Sequence, residues 1–117
     1  MAEVTLFHNP ACSNSRGALA LLRERGIELT IVDYLKAPLS RDTLRQLLAE
    51  MRMAPRALLR DKEAAYAELG LADPGLTDDQ LLDALVAHPV LMQRPIVRTP
   101  RGTRVCRPPE TVLGLLD

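Results

Sequence analysis

The sequence predicts an α/β fold. A βαβ half and a ββα half share one mixed four-stranded sheet, and a run of helices is inserted between them. Three observations carry this. Two short apolar runs near the N-terminus flank a helical pattern. The segment at about 40–88 has leucines at helical spacing and no strand pattern. Near the C-terminus, two β-rich runs bracket a turn and precede a last helical segment.

Taken in order, Val4-Thr5-Leu6-Phe7 reads as a buried strand. The next run, 15–25, reads as a helix, with Ser13, Asn14 and Ser15 as N-cap candidates and Gly26 as a stop signal. The segment 28–34, with Leu29, Ile31 and Val32, is a second strand. A right-handed crossover makes the two strands parallel. Ser40 is placed to cap a helix whose Leu44, Leu47, Leu48 and Met51 follow the i, i+3, i+4, i+7 pattern. Pro55 interrupts, a helical turn is expected at 56–60, and a further helix at 64–69 ends at Gly70. Thr77-Asp78-Asp79-Gln80 has the form of a capping box. Leu81, Leu82, Leu85 and Val86 follow as one stripe, and His88-Pro89 closes that helix. A hairpin comes next, with strands at 95–99 and 103–107 around Pro100-Arg101-Gly102. Pro108-Pro109-Glu110 opens a last helix carrying Val112, Leu113 and Leu116. This order describes a thioredoxin-like fold with a helical insertion, a single domain spanning 1–117.

Composition narrows the function. A chain of 117 residues with 47% hydrophobic content suits one globular domain. No apolar run reaches the ~20 residues of a membrane span, and no signal-peptide core is recognisable, so a cytoplasmic protein is expected. Fifteen basic and fifteen acidic residues cancel, which argues against binding to nucleic acid or an anionic membrane. Of the basic residues only Lys36 and Lys62 are lysine, and the rest are arginine, the side chain suited to bidentate recognition of oxyanions. Cys12 and Cys106 are the two cysteines, too few for a disulfide scaffold. No glycine-rich phosphate loop is present, and the cysteines and histidines at 8, 12, 88 and 106 lack zinc-site spacing, so neither nucleotide nor metal is expected.

The most informative feature is Cys12 in His8-Asn9-Pro10-Ala11-Cys12-Ser13-Asn14-Ser15-Arg16, between a strand and a helix. A thiol at a helix start feels unpaired backbone N–H groups and the positive end of the helix dipole. Both favour thiolate, so Cys12 is a candidate nucleophile. The N–H groups of Ser13, Asn14 and Ser15 also form an anion cradle. With no second cysteine two or three residues on, Cys12 needs an external thiol to regenerate it. His8 closes the first strand and is a candidate partner for the sulfur, whereas Cys106, beside Val105 in a strand pattern, reads as a packed thiol. Arg94 before Pro95 and Arg107 before Pro108 stand at the entry and exit of the hairpin.

These segments resemble the glutaredoxin-linked arsenate reductases of bacteria. The resemblance covers nearly the whole chain. It rests on His8-Asn9-Pro10-Ala11-Cys12, Arg56-Ala57-Leu58-Leu59-Arg60, Leu69-Gly70-Leu71, Thr77-Asp78-Asp79-Gln80-Leu81, Arg94-Pro95-Ile96-Val97 and Gly102-Thr103-Arg104-Val105-Cys106-Arg107-Pro108. It implies a single essential cysteine at Cys12, oxyanion-binding arginines at Arg60, Arg94 and Arg107, and a cis peptide before Pro95. It also implies arsenate as substrate, glutathione as external reductant, glutaredoxin as partner and no bound cofactor; a monomer is expected. Longer family members carry a tail beyond the position of Asp117, and the site residues named above all precede it. Two other readings keep the same fold: a glutathione-linked thiol oxidoreductase acting on another substrate, and a non-enzymatic regulator that binds a partner protein. The first has no need of three arginines. Redox-switch regulators of the family tend to have Cys-x-x-Cys, where this chain has Cys12-Ser13-Asn14-Ser15.

Overall fold

The computed structural model describes residues 4–116. They fall into two compact units. One comprises the chain up to Ala37 together with the segment from Arg94 onward, and the other is Pro38–Gln93.

The first unit carries the sheet. Strand β1 (Val4–His8) is followed by helix α1 (Ser13–Glu24) and strand β2 (Leu29–Asp33). After the second unit, β3 (Ile96–Thr99) and β4 (Gly102–Val105) form the hairpin. The order across the sheet is β2-β1-β3-β4. β1 runs parallel to β2, as a helical crossover requires, and antiparallel to β3; β4 is antiparallel to β3. The pairing of Phe7 with Ile96 places the start of β3 at the same sheet end as His8. The chain therefore leaves β1 for Cys12 at the end where Arg94 enters β3.

Apolar residues of α1 and of the last helical segment pack on this sheet. Val4, Leu6, Ala18, Leu22, Val97, Cys106, Val112 and Leu115 form one buried cluster. Each fully buried Leu or Val contributes roughly 1.5–3 kcal/mol relative to exposure. Gly17 lets α1 approach the C-terminal segment closely: a Cβ there would lie 2.9 Å from Pro109 Cγ. Gly26, at φ +69°, takes the left-handed conformation that ends the turn after α1.

The cap of α1 and the type of the last helix differ from the sequence expectation, and β4 ends at Val105, two residues before the expected strand end. Helix α1 begins at Ser13 with Cys12 itself as N-cap, so none of Ser13, Asn14 or Ser15 caps it. The last helical segment, Pro109–Leu115, is a 3-10 helix. Pro108 and Pro109 lack N–H groups and Gly114 lowers α-helical propensity, so i→i+3 bonds such as Thr111 N–H to Pro108 O suffice. The peptides before Pro95 and before Pro108 are both cis.

The second unit is helical. It contains α2 (Arg41–Met51), α3 (Pro55–Leu58), α4 (Ala64–Glu68), α5 (Asp78–Ala87) and a 3-10 turn at Pro89–Leu91. The expected caps form. Ser40 accepts the Thr43 N–H, and Thr77 and Gln80 complete a capping box. Helices α2 and α5 pack together, with Leu44, Leu47 and Leu48 on one and Leu81, Leu82 and Leu85 on the other all buried. Arg41 pairs with Asp79 and Asp83 across them. Beyond α3, Leu59 bridges to Met92. The Gln93 N–H donates to Leu58 O, and the Arg60 N–H donates to Leu91 O at 2.7 Å. Arg60 therefore starts from fixed backbone.

Candidate active site

The nucleophile loop is built from Asn9. Its backbone carbonyl accepts the Cys12 N–H at 3.0 Å, its side-chain Oδ1 accepts the Ala11 N–H at 2.9 Å, and its own N–H donates to Ser15 Oγ at 3.0 Å. Asn9 is 3% exposed. The Arg16 guanidinium donates to Pro10 O at 3.0 Å and braces the same loop from outside. The first intrahelical bond is Arg16 N–H to Cys12 O. The N–H groups of Ser13, Asn14 and Ser15 thus lie ahead of the hydrogen-bonded helix.

Cys12 sits buried at the mouth of this arrangement. Burial pushes its thiol pKa up. Hydrogen bonds from the Ser15 N–H, the Arg94 guanidinium and the Asn14 N–H, with the charge of Arg94, pull it down, and the net result is a pKa below 9.0. The attraction wins because three donors converge on one sulfur. A helix start and a guanidinium thus both act on the sulfur in the direction that favours thiolate.

His8 is buried at the end of β1, and its Nδ1 lies 2.7 Å from Ser15 Oγ. That oxygen accepts the Asn9 N–H and keeps a second lone pair and its own proton, so it pairs with His8 Nδ1 in either neutral tautomer of the ring. The His8 pKa is lowered. Burial lowers it from 6.5, Asp33 opposes this, and Arg23 and Arg16 add to the lowering.

Arg94 and Arg107 are placed by the hairpin. The β3–β4 register pairs Ile96 with Val105, and the Cys106 N–H donates to Pro95 O at 2.8 Å, extending the ladder by one step. The next residues outward on the two strands are Arg94 and Arg107. Arg94 is half-buried and reaches the Cys12 sulfur, whereas Arg107 is exposed. Cys106 itself is fully buried in the core cluster, with its Sγ 3.6 Å from Arg104 O. Burial pushes its thiol up to about 12, and the Arg104 charge only partly opposes this. It is a packing residue.

In the helical unit, Arg60 Nε donates to Glu63 Oε1 at 3.2 Å, with the two side chains 19% and 25% exposed. Arg60 Nη1 is buried and has no hydrogen-bond partner among the described residues. Sequence reasoning singled out Arg60 but missed Glu63 and gave Asn9 no role. An Asn followed two residues on by a free backbone N–H is the signal of an Asx turn that marks Asn9. Nothing in the spacing alone distinguishes Glu63 from a solvated helix-start carboxylate.

Among the described residues no group of three or more His, Cys, Asp or Glu is placed to hold a metal ion, and no helix is long and apolar enough to cross a membrane.

Comparison with known proteins agrees with this geometry. The ArsC family model matches residues 7–115. An arsenate reductase of Escherichia coli is 52% identical over 117 residues, covering 100% of this chain and 83% of the relative. One from Rhizobium meliloti (strain 1021) is 50% identical over 113 residues, covering 97% of this chain and 81% of that protein. The solved structure of an arsenate reductase from Vibrio cholerae superposes with a TM-score of 0.93 at 43% identity, covering 97% of this chain and 98% of that one. With its thioredoxin-like sheet, its lone activated cysteine and this match along almost its full length, the chain belongs to the ArsC family.

Proposed function

We propose that this protein is an arsenate reductase in which Cys12 is the nucleophile. The observation that carries the reading is the set of three donors on the Cys12 sulfur: the Ser15 N–H, the Arg94 guanidinium and the Asn14 N–H. A plain packing cysteine has no such set, as Cys106 illustrates. The Cys12 thiolate attacks arsenic, one arsenate oxygen is protonated and leaves as water, and a sulfur–arsenic(V) bond forms. Glutathione adds to arsenic through its sulfur as a second water leaves. A glutaredoxin thiolate then attacks that glutathione sulfur: a glutaredoxin–glutathione disulfide forms, the glutathione–arsenic bond breaks, and its electron pair takes arsenic from +5 to +3. Water hydrolyses the remaining Cys12–arsenic bond, which releases arsenite and restores the Cys12 thiol. Glutathione and glutaredoxin enter on the resemblance of the motifs and on the lack of a resolving cysteine beside Cys12.

The remaining residues take roles suited to their chemistry. Arg94 and Arg107, neighbours at the end of the hairpin, neutralise the oxyanion and the charge that builds in the transition state, together with the N–H groups of Ser13, Asn14 and Ser15. The resemblance of its motif assigns Arg60 as a further oxyanion ligand, and its buried Nη1, without a hydrogen-bond partner among the described residues, is suited to that role. His8 acts through Ser15 and positions the helix start. Pro95 shapes the entry of β3 behind Arg94.

The test compares two substrates. Arg94→Ala should lower arsenate turnover by ~10²–10³-fold, the cost of removing an oxyanion donor. Turnover of a neutral mixed disulfide should fall far less. Equal losses on both substrates would move the protein to general thiol exchange.

A further inference from the structure

We infer that Glu63 is a positioning residue for the substrate-binding role of Arg60: it grips the guanidinium at Nε so that Nη1 is presented to the oxyanion. The inference rests on the reading of Arg60 as an oxyanion ligand and extends it to a residue which that reading does not include.

The geometry has three parts. Arg60 is anchored at its backbone by the bond from its N–H to Leu91 O, beside the Leu59–Met92 bridge. Its side chain is held a second time, by Glu63 Oε1 on Nε at 3.2 Å. The Glu63 N–H reaches back to Arg60 O at 3.4 Å, so the two residues close a local ring at the start of α4. What remains is the buried Nη1 without a hydrogen-bond partner among the described residues. A buried donor left unsatisfied is costly, and a fold keeps one where something else satisfies it. Oxyanions accept readily from a guanidinium edge, and the proposed substrate is one.

The contact on Nε is what makes this orientation rather than simple charge pairing. A guanidinium is a planar fork, and fixing Nε fixes the plane in which both Nη groups lie. A free arginine of the same charge loses rotamer entropy on binding, and a gripped one has lost it already. Glu63 also offsets the charge of Arg60. An incoming anion therefore meets a directed donor, and the carboxylate stays on the side away from Nη1.

The test uses arsenate reduction by the full-length protein with glutathione and glutaredoxin. Glu63→Ala should lower kcat/KM on the order of 10-fold, mostly through KM, short of the ~10²-fold that a 1 Å misplacement costs. Glu63→Gln keeps an acceptor for Nε and should restore kcat/KM to within about twofold of the parent. In an Arg60→Ala background, Glu63→Ala should change nothing further. If Arg60→Ala is harmful but Glu63→Ala is not, or if the two losses simply add, the positioning role is overturned while Arg60 stands as a ligand. If Arg60→Ala itself leaves arsenate kcat/KM unchanged, the ligand reading and this inference fall together.

Discussion

Ser15 touches the nucleophile and His8 at once: its backbone N–H hydrogen-bonds to the Cys12 sulfur, and its Oγ lies 2.7 Å from His8 Nδ1. The end of β1 and the first turn of α1 are thereby locked together around the thiolate. One residue supplies both the donor and the brace that aims it.

From this lock we expect Ser15→Ala and His8→Ala to raise the Cys12 pKa in the same direction, with a double variant no worse than the stronger single one. The pH profile of Cys12 alkylation measures this. Ser15→Ala should also cost about 1–3 kcal/mol of stability, because it strands the buried Asn9 N–H and His8 Nδ1. Additive pKa shifts would separate His8 from Ser15.

His8 should titrate below 6.5, since burial, Arg23 and Arg16 outweigh Asp33. The sign for stability follows. The unfolded chain binds the proton more readily than the fold, so stability falls as pH drops through 6.5 toward the folded-state value. An NMR titration of the His8 ring checks this, and a midpoint above 6.5 would mean that Asp33 outweighs burial and the two arginines.

Cys106→Ala should keep near-parental arsenate reduction and lose roughly 0.5–3 kcal/mol of stability, as core truncations do. Its thiol, pushed up to about 12 and fully buried, should resist alkylation under native conditions while Cys12 reacts. A dead Cys106→Ala protein that is still folded would require a resolving thiol at that position.

Arg94→Lys keeps the charge but loses the fork. It should raise the Cys12 alkylation midpoint toward 9.0 and impair arsenate turnover, less severely than Arg94→Ala. An unchanged midpoint in both variants would leave the guanidinium without influence on the sulfur.

Much of this was legible in the sequence, for identifiable reasons. The strands at β1 and β2, the Ser40 cap and the Thr77–Gln80 capping box are local signals, and local hydrogen bonds honour them. The start of α1 was misplaced because Ser15 looks like a cap in isolation. Its hydroxyl is instead consumed by the Asn9 N–H and His8, which are fixed by the strand before it. The 3-10 character of Pro109–Leu115 goes with its two opening prolines and Gly114, which apolar spacing alone does not register. Arg94 and Arg107 were singled out by their prolines, but their adjacency follows from the β3–β4 register. Glu63 was invisible because its role depends on where one nitrogen of Arg60 points.

The central claim is that the Cys12 thiolate attacks arsenate, and the most direct measurement is arsenate-dependent turnover with glutathione and glutaredoxin, comparing the parent with Cys12→Ser. Serine fits the same buried site but is a far poorer nucleophile at neutral pH. The account predicts sustained arsenite formation by the parent and none above background by a Cys12→Ser protein whose circular dichroism shows the parental fold. Substantial arsenite formation by that folded variant would contradict it.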